Sequence, residues 1–358
     1  MRTKLNGLWL TAMKKAIASQ RKNVDWFIKS TASMNKASVS KREKNNSSAV
    51  SRREPMGTWT SGYHRFSGTE PALHYHLFLP EVTSCEIPLV VMLHGCRQNA
   101  EEFALGTRMN IHSSARGFAV LYPEQSIRSQ SHRCWRWYDK TIQKGGSEVA
   151  ALTSMIEYVT SKHAIDCDRI YVCGISAGAA MAHILALTRP DLIAAVGLHS
   201  GPAYGGCNSV AGAYRVMQQG SRRPISALSD VLSGLPPQNP VPAILIAGSS
   251  DPVVRPVNHR QLLEQFVALN QSHGLIPLPA KELPYGRTSK KHPIKRRLKI
   301  SDYVIGRKVI VRSIMIEGLG HAWSGGDTAY PFNATGPNAS TIMLDFFARH
   351  QKPVHPHS

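Results

Sequence analysis

From residue 73 onward, short apolar runs alternate along the chain with longer segments in which apolar positions recur at helical spacing. Unbroken apolar runs between helical segments are typical of a mostly parallel sheet that helices cover on both faces. The pattern predicts strands at 73–80, 87–95, 118–124, 169–174, 194–201, 243–251 and 308–318, and helices at 99–116, 146–164, 176–190 and 259–273. The chain is therefore predicted to have an α/β fold, in which active-site residues lie at the carboxyl ends of the strands.

The first 55 residues have a different pattern. An apolar stripe from Leu5 to Ile17 recurs at helical spacing and predicts an amphipathic helix, and the Ser, Asn, Lys and Arg that dominate residues 30–53 predict a flexible linker. We expect this segment at 1–55, a catalytic domain at 56–351 and a tail at 352–358. The helix either packs on the protein's own body or binds a granule or membrane surface, and both interpretations stay open.

The formal net charge of +20 is concentrated in two segments. Residues 1–55 hold thirteen Lys or Arg against three Asp or Glu, and residues 281–312 hold eleven against two. The remaining residues hold nineteen against eighteen, so the body predicts no specific nucleic-acid partner. We expect a basic insertion at about 285–300, whose most basic part, 289–299, is predicted to be a solvated loop or an adsorbing strip. No apolar run reaches the ~20 residues of a membrane span.

The pentapeptide G-I-S-A-G lies between the predicted strand at 169–174 and an almost wholly apolar helix. This context is typical of a nucleophile elbow, in which a sharp turn between strand and helix exposes a serine. Gly174 and Gly178 permit the turn and close packing of the helix on the strand. Ser176 is therefore the candidate nucleophile.

A serine nucleophile needs a base, and the base needs an acid that fixes its tautomer. In elbow enzymes these residues follow in the order serine, acid, histidine, each in a loop after a strand. Asp251 is the last residue of the strand predicted at 243–251, and His321 follows the last predicted strand in the glycine-rich stretch GLGHAWSGGD. We predict Asp251 as the acid and His321 as the base. We prefer Asp251 to the other two candidate acids because Asp302 lies in the basic segment and Asp327 follows the histidine.

An oxyanion hole needs two N–H donors that point at the developing negative charge. One is expected from Ala177, which follows the nucleophile, and the other from Cys96 in the turn after the strand at 87–95. Both donors are backbone groups, and pairing of Cys96 with Cys134 in a disulfide stays open. No C-x-x-C motif or His/Cys cluster with zinc spacing occurs, so the sequence predicts no metal and no other cofactor.

Several segments between about Gly57 and about His350 resemble the esterase and polyhydroxybutyrate depolymerase family of α/β-hydrolases. They are LHGCRQNAEEFALGTRMN, GFAVLYPEQ, CWRWY, GISAGAAMA, LIAAVGLHSG, GSSDPVV and GLGHAWSGGD. The resemblance implies an α/β-hydrolase fold and ester hydrolysis through an acyl-enzyme, with short-chain polyhydroxyalkanoates as the favoured substrate. It assigns the same roles to the candidate triad and oxyanion donors. It also suggests that Trp135 and Trp137 lie beside the substrate crevice, with packing in the core as the alternative.

Two other functions use the same sequence features. The triad would equally serve a feruloyl or acetyl ester on a plant polysaccharide, because the reacting groups do not specify the acyl chain. A non-catalytic adaptor on a granule surface would use the basic segments, although such a protein has no need of a triad. The resemblance implies an extracellular protein, whereas the short apolar run at 8–13 is not typical of a secretion signal, so a cytoplasmic or granule-associated location stays open.

Overall fold

In a computed structural model, the structure describes residues 55–66, 72–81, 86–232, 237–285, 288–289, 292–293 and 296–353. The helix and linker predicted within residues 1–54 and the end of the predicted tail, 354–358, lie outside these residues. The predicted amphipathic helix and the domain boundary near residue 55 therefore stay predictions.

A large mixed sheet forms the centre of the protein. Its strands run in the order β1, β2, β4, β3, β5, β6, β7, β13, β12 and β8, and β9 also pairs with β12. Adjacent strands from β4 to β13 are parallel, and the outer strands are antiparallel. The strands are β1 (Gly57–His64), β2 (Leu73–Pro80), β3 (Ile87–Leu93), β4 (Ala119–Glu124), β5 (Ile165–Ile175), β6 (Ala195–His199), β7 (Ala243–Gly248), β8 (Ile276–Pro277), β9 (Lys281–Tyr285), β10 (Thr288–Ser289), β11 (His292–Pro293), β12 (Arg296–Ile305), β13 (Lys308–Ile316), β14 (Trp323–Ser324) and β15 (Asn333–Ala334).

Helices cover both faces of this sheet and pack on it through two separate apolar cores. Alternate side chains of β5 point to opposite faces, so Ile170 and Val172 lie in one core while Tyr171 and Cys173 lie in the other. The helices are α1 (Ala100–Thr107), α2 (Met109–Ser114), α3 (Lys140–Gln143), α4 (Glu148–Lys162), α5 (Ala177–Thr188), α6 (Val210–Gln219), α7 (Ser226–Leu232), α8 (Pro256–Asn270) and α9 (Ala339–Phe347). The predicted α/β class is confirmed.

The structure corrects two of the predicted elements. The helix predicted at 99–116 is two helices, because Arg108 adopts a left-handed conformation (φ 55°) that ends α1 and precedes α2. The predicted loop at 289–299 is wrong in its described part, since β12 begins at Arg296 and pairs with β9. The sequence around Leu298 alternates in the manner of a strand: Leu298 is buried, while Arg297 and Lys299 are exposed. The high local charge concealed this period of two.

None of the helices in the described part of the chain combines the length and apolar character that crossing a membrane requires.

Candidate active site

The turn between β5 and α5 has the geometry of an elbow. Ser176 occupies it with φ 57° and ψ −121°, a combination that L-residues rarely adopt. Its N–H donates to the carbonyl of His199 at the end of β6, at 3.0 Å, and the residue is buried, with 9% of its surface exposed. The turn therefore places the hydroxyl at the carboxyl end of the parallel strands.

Two glycines allow this turn to sit against β3. A Cβ atom on Gly174 would lie 2.4 Å from the carbonyl oxygen of Leu93, and one on Gly178 would lie 2.0 Å from the same oxygen. Neither distance is compatible with a real side chain. The two glycines of G-I-S-A-G are therefore required by close approach of the neighbouring strand.

Asp251 and His321 meet in the loops at the same carboxyl end of the parallel strands. His321 Nδ1 lies 2.8 Å from Asp251 Oδ2, and the Asp251 side chain is fully buried. The other carboxylate oxygen, Oδ1, accepts hydrogen bonds from the N–H groups of Val253 and Val254 at 2.8 and 2.9 Å. The acid is thus held rigidly, and it orients the His321 ring so that Nε2 is the nitrogen left for chemistry.

His199 connects the elbow to the loop that carries His321. Its carbonyl accepts from Ser176, and its Nε2 accepts from the N–H of Ser324 at 3.2 Å. The ring proton therefore lies on Nδ1, which donates to the hydroxyl of Ser200 at 3.1 Å. Burial, and to a smaller extent the nearby His321, lower the pKa of His199 to about 3, so the ring stays neutral.

The structure does not join all three candidate groups by hydrogen bonds. Within the described residues, Ser176 Oγ has no hydrogen bond to His321. Hydrogen bonds between nucleophile and base are often long without substrate and tighten only in the substrate complex. The hydrogen bond between Asp251 and His321 is present, and the link from His321 to Ser176 stays a prediction.

The two alternative acids are engaged elsewhere. Asp302 forms a two-point ion pair with Arg312, both contacts at 2.7 Å, on the paired strands β12 and β13. Asp327 lies 3.1 Å from Arg108, at the junction between α1 and α2. These contacts support the choice of Asp251.

The loop after β3 holds the candidate oxyanion donor. The N–H of Gly95 donates to Gln98 Oε1 at 2.8 Å, and the N–H of Arg97 donates to the carbonyl of His132 at 2.7 Å. Within the described residues the N–H of Cys96, between them, has no acceptor. Ala177 is the first residue of α5, so its N–H has no acceptor inside the helix. Both predicted donors are therefore available to a ligand.

A disulfide joins Cys96 to Cys134, with a Cα–Cα distance of 4.3 Å. This answers the question that the sequence left open, and the disulfide attaches the loop after β3, which holds the candidate oxyanion donor, to the segment after β4. Trp135 is fully buried, and its indole N–H donates to the carbonyl of His94 at 3.1 Å, while Trp137 is 5% exposed. Trp135 thus holds the residue after β3 in place, and contact of either tryptophan with substrate stays a prediction.

Sequence reasoning missed the network that supports this loop. His94 Nε2 accepts from the N–H of Gln125, and burial lowers the pKa of His94 to about 4, which keeps the ring neutral. Gln125 donates in turn to the buried Glu148 at 2.7 Å, and Glu148 also pairs with Arg136 at 2.8 Å. His94 ends a predicted strand, which is a usable signal, but nothing in the sequence connects it to Glu148.

Comparison with known proteins places these features in context. The chain is 34% identical over 223 residues to poly(3-hydroxyalkanoate) depolymerase C of Paucimonas lemoignei, covering 59% of this chain and 51% of that protein. It is 29% identical to feruloyl esterase B of Thermothelomyces thermophilus, covering 39% of this chain and 48% of that protein. The chain thus spans about half the length of the curated relatives it matches.

Among solved structures, the acetyl xylan esterase from Aspergillus awamori superposes with a TM-score of 0.61 and 20% identity, covering 81% of this chain and 99% of that one. At this identity the likeness supports the fold alone, and the chain has the predicted α/β-hydrolase fold. The sequence model of the family described as "Esterase PHB depolymerase", where PHB is polyhydroxybutyrate, matches residues 73–277. This range includes Ser176 and Asp251 and ends before His321. Because it covers more than half of the chain, the protein belongs to the esterase/PHB depolymerase family.

Proposed function

We propose that this chain is a serine esterase that hydrolyses short-chain polyhydroxyalkanoates through an acyl-enzyme. The observation that carries the proposal is the contact between His321 Nδ1 and the buried Asp251, at the carboxyl ends of the strands, where the elbow also presents Ser176. A histidine oriented in this way is the general base that a serine hydroxyl needs, because the hydroxyl is a weak nucleophile at its own pKa.

In the proposed first step, Ser176 Oγ attacks the carbonyl carbon of the ester while His321 Nε2 takes the hydroxyl proton. The carbonyl oxygen becomes an oxyanion, and the N–H groups of Cys96 and Ala177 donate to it. Collapse of this intermediate breaks the ester C–O bond, and the leaving alcohol takes the proton from His321. The product of this step is an acyl ester on Ser176.

Water completes the cycle. His321 removes a proton from the water, the hydroxide attacks the acyl carbon, and the same two N–H groups hold the second oxyanion. The acid then leaves as Ser176 recovers its proton from His321. Throughout the cycle Asp251 holds the imidazole in one orientation and stabilises its positive charge.

The substrate class rests on family membership and on the relative from Paucimonas lemoignei, which is named a poly(3-hydroxyalkanoate) depolymerase. The second candidate is a feruloyl or acetyl ester of a plant polysaccharide. Relatives named feruloyl esterase B and acetylxylan esterase A, at 29% and 27% identity, favour it. Both candidates use one mechanism and differ only in the acyl group and the leaving alcohol.

Two measurements on the full chain test the proposal. A fluorophosphonate should add covalently to Ser176 and to no residue of the Ser176→Ala variant, as peptide mass spectrometry would show. Release of soluble 3-hydroxybutyrate from a polyhydroxybutyrate suspension should then exceed release of ferulate or acetate from the corresponding polysaccharides. The reverse ranking would assign the second candidate, and absence of both labelling and hydrolysis would leave the adaptor interpretation.

A further inference from the structure

A second group of chemically active side chains lies on the paired strands β2 and β4. His74 and His76 are two residues apart on β2, so both side chains point to the same face. Glu124 lies directly opposite His74 in the antiparallel pairing of β2 with β4. One potential ligand atom from each of the three residues lies within 4.8 Å of those of the other two. Strand pairing therefore assembles two imidazoles and one carboxylate at a single point.

We propose that His74, His76 and Glu124 form a binding site for a divalent transition-metal ion such as Zn²⁺. Zinc prefers imidazole nitrogen and carboxylate oxygen at ~2.0–2.2 Å, and three protein ligands with solvent in the fourth position is a common arrangement. Hard ions such as Mg²⁺ and Ca²⁺ prefer sites made of oxygen ligands only, so two histidines select against them. The three ligand atoms, which lie within 4.8 Å of one another, have to move closer together to share an ion at these distances.

The environment of His76 supports a ligand at this point. Its Nδ1 atom is buried and has no hydrogen-bond partner within the described residues. A buried polar atom without a partner is unfavourable, and coordination to a metal would satisfy it. The ring stacks on Trp59, with centroids 4.9 Å apart and planes inclined by 18°, and this contact favours one ring orientation. A preoriented ligand loses less conformational entropy when the ion binds.

Glu124 already has partners, and these determine how an ion would be held. Its Oε1 accepts from Arg133 at 2.9 Å, and its Oε2 accepts from the N–H of Ala100 at 2.9 Å. Each carboxylate oxygen has a second lone pair, so a metal binds beside these donors. The positive charge of Arg133 opposes the ion, and the affinity of the site depends on that side chain.

The site is connected to the oxyanion loop through one residue. Gln125 follows Glu124 in the chain, and its N–H donates to His94, which lies between the end of β3 and Cys96. Movement of Glu124 toward an ion therefore acts on the strand end that carries the candidate oxyanion donor. The proposal itself concerns binding, and it is independent of the ester hydrolysis proposed above.

Titration of the full, EDTA-treated chain with Co²⁺ and Zn²⁺ tests the site, with visible absorption reporting Co²⁺ coordination and calorimetry reporting the Zn²⁺ affinity. We expect one Zn²⁺ per chain and at least about tenfold weaker binding in His74→Gln and in His76→Gln. The matched control is the double variant His355→Gln/His357→Gln, which removes a second H-x-H pair near the carboxyl end. Unchanged affinity in the two β2 variants, or loss of binding in the control, would overturn the proposal.

Two further variants test the role of Glu124 without disturbing β2. Glu124→Gln keeps an oxygen acceptor but removes the charge, and it should weaken Zn²⁺ binding by about tenfold. Arg133→Gln removes the opposing cation and should strengthen binding. Equal affinities in the wild type and in both variants would contradict a site that includes this carboxylate. Circular dichroism of each variant would establish that the fold is retained.

Discussion

Ser147 and Ser176 adopt almost the same backbone conformation in two different turns. Ser147 has φ 52° and ψ −119° before α4, and Ser176 has φ 57° and ψ −121° before α5. Such values cost on the order of 1–3 kcal/mol for a residue other than glycine. The conformation is therefore shared by both turns and does not by itself identify a nucleophile.

The surroundings of the two serines differ. Two residues after Ser176, Gly178 lies against Leu93 of β3, whereas the residue two positions after Ser147 is Val149, whose side chain is buried in the core. The hydroxyl of Ser147 accepts from Arg136 at 3.4 Å, while Ser176 Oγ has no hydrogen bond within the described residues. The elbow differs from an ordinary helix start because it lies between parallel strands at their carboxyl ends.

The turn at Ser147 supports the loop after β3, which holds the candidate oxyanion donor, through the residue that follows it. The next residue, Glu148, is 3% exposed and binds Gln125 and Arg136. The N–H of Gln125 donates to His94, and Arg136 follows Trp135 in the chain. One turn thus presents the proposed nucleophile, and the other fixes the loop that faces it.

Replacement of Ser176 by Ala should lower kcat on p-nitrophenyl butyrate by at least about a thousandfold, because the nucleophile is lost while the oxyanion donors remain. His321→Ala should have a similar effect, and the double variant should lose little more, since the two groups act as one unit. Steady-state kinetics on variants with unchanged circular dichroism would measure this. A Ser176→Ala enzyme with a tenth of the wild-type rate would remove the serine from the mechanism.

Replacement of Gly178 by Ala should destabilise the fold by about 3 kcal/mol or more, because the new Cβ would lie 2.0 Å from a backbone oxygen of β3. Urea unfolding would measure the free energy of unfolding. The matched control is Gly320→Ala beside His321, where a Cβ would meet no atom within 4 Å and we expect a change below about 0.5 kcal/mol. Equal effects at the two glycines would refute the close approach of β3 as the reason for the elbow glycine.

Removal of the disulfide in Cys96→Ala/Cys134→Ala should lower the free energy of unfolding by about 2–4 kcal/mol, since the bridge closes a loop with a sequence separation of 38. The kcat should stay within about tenfold of wild type, because the proposed donor is the backbone N–H of residue 96. Cys96→Pro/Cys134→Ala deletes that N–H and should abolish activity. Cys167→Ala, at an exposed free cysteine, is the control for loss of a thiol.

The elbow helix α5 contains a buried histidine, and α4 contains none. Burial lowers the pKa of His183 from 6.5 to about 3, and neither ring nitrogen has a partner within the described residues. Because the unfolded chain binds the proton more tightly, His183 lowers the free energy of unfolding as the pH falls from 6.5 toward 3, and has no such effect above this range.

The variant His183→Met should remove part of this pH dependence, because methionine fills the space between Phe266 and Tyr204 without titrating. Urea midpoints measured from pH 7.5 to pH 4.5 would show a shallower decline than in the wild type. Identical pH profiles for the two proteins would show that His183 does not contribute to acid sensitivity.

Replacement of Ser147 by Ala should change kcat by less than about twofold, because the contact of its hydroxyl with Arg136 is long, at 3.4 Å, and the substitution leaves Glu148 in place. The measurement uses the same ester as for Ser176→Ala. A large loss of kcat at Ser147 would mean that the two turns are functionally coupled more tightly than the contacts of Glu148 indicate.

Much of the central sheet was predictable, because buried parallel strands read as unbroken apolar runs. The prediction of an elbow rested on the same signal, since G-I-S-A-G gained meaning only from the strand before it and the helix after it. The contact of Asp251 with His321 followed from chain order, and the structure contains it. Their catalytic roles, like that of Ser176, stay predictions.

Other features were hidden for identifiable reasons. The strand β12 begins within a run of basic residues. These residues favoured the prediction of a solvated loop, although buried Leu298 alternates with exposed Arg297 and Lys299. The turn at Ser147 was not recognised, because G-G-S-E-V resembles any helix start. The cluster of His74, His76 and Glu124 escaped detection because its third member is far along the chain from the first two.

The sequence by itself determined the fold class, the position of the elbow and the chain order of the proposed triad, because apolar periodicity and glycine placement are local properties of the chain. The tertiary structure alone decided which distant groups meet: Cys96 with Cys134, Gln125 with Glu148, and His74 with Glu124. The physical reason is that contacts between distant residues depend on the order of the strands in the sheet and on their register. A one-residue shift in register would place a different set of residues in contact.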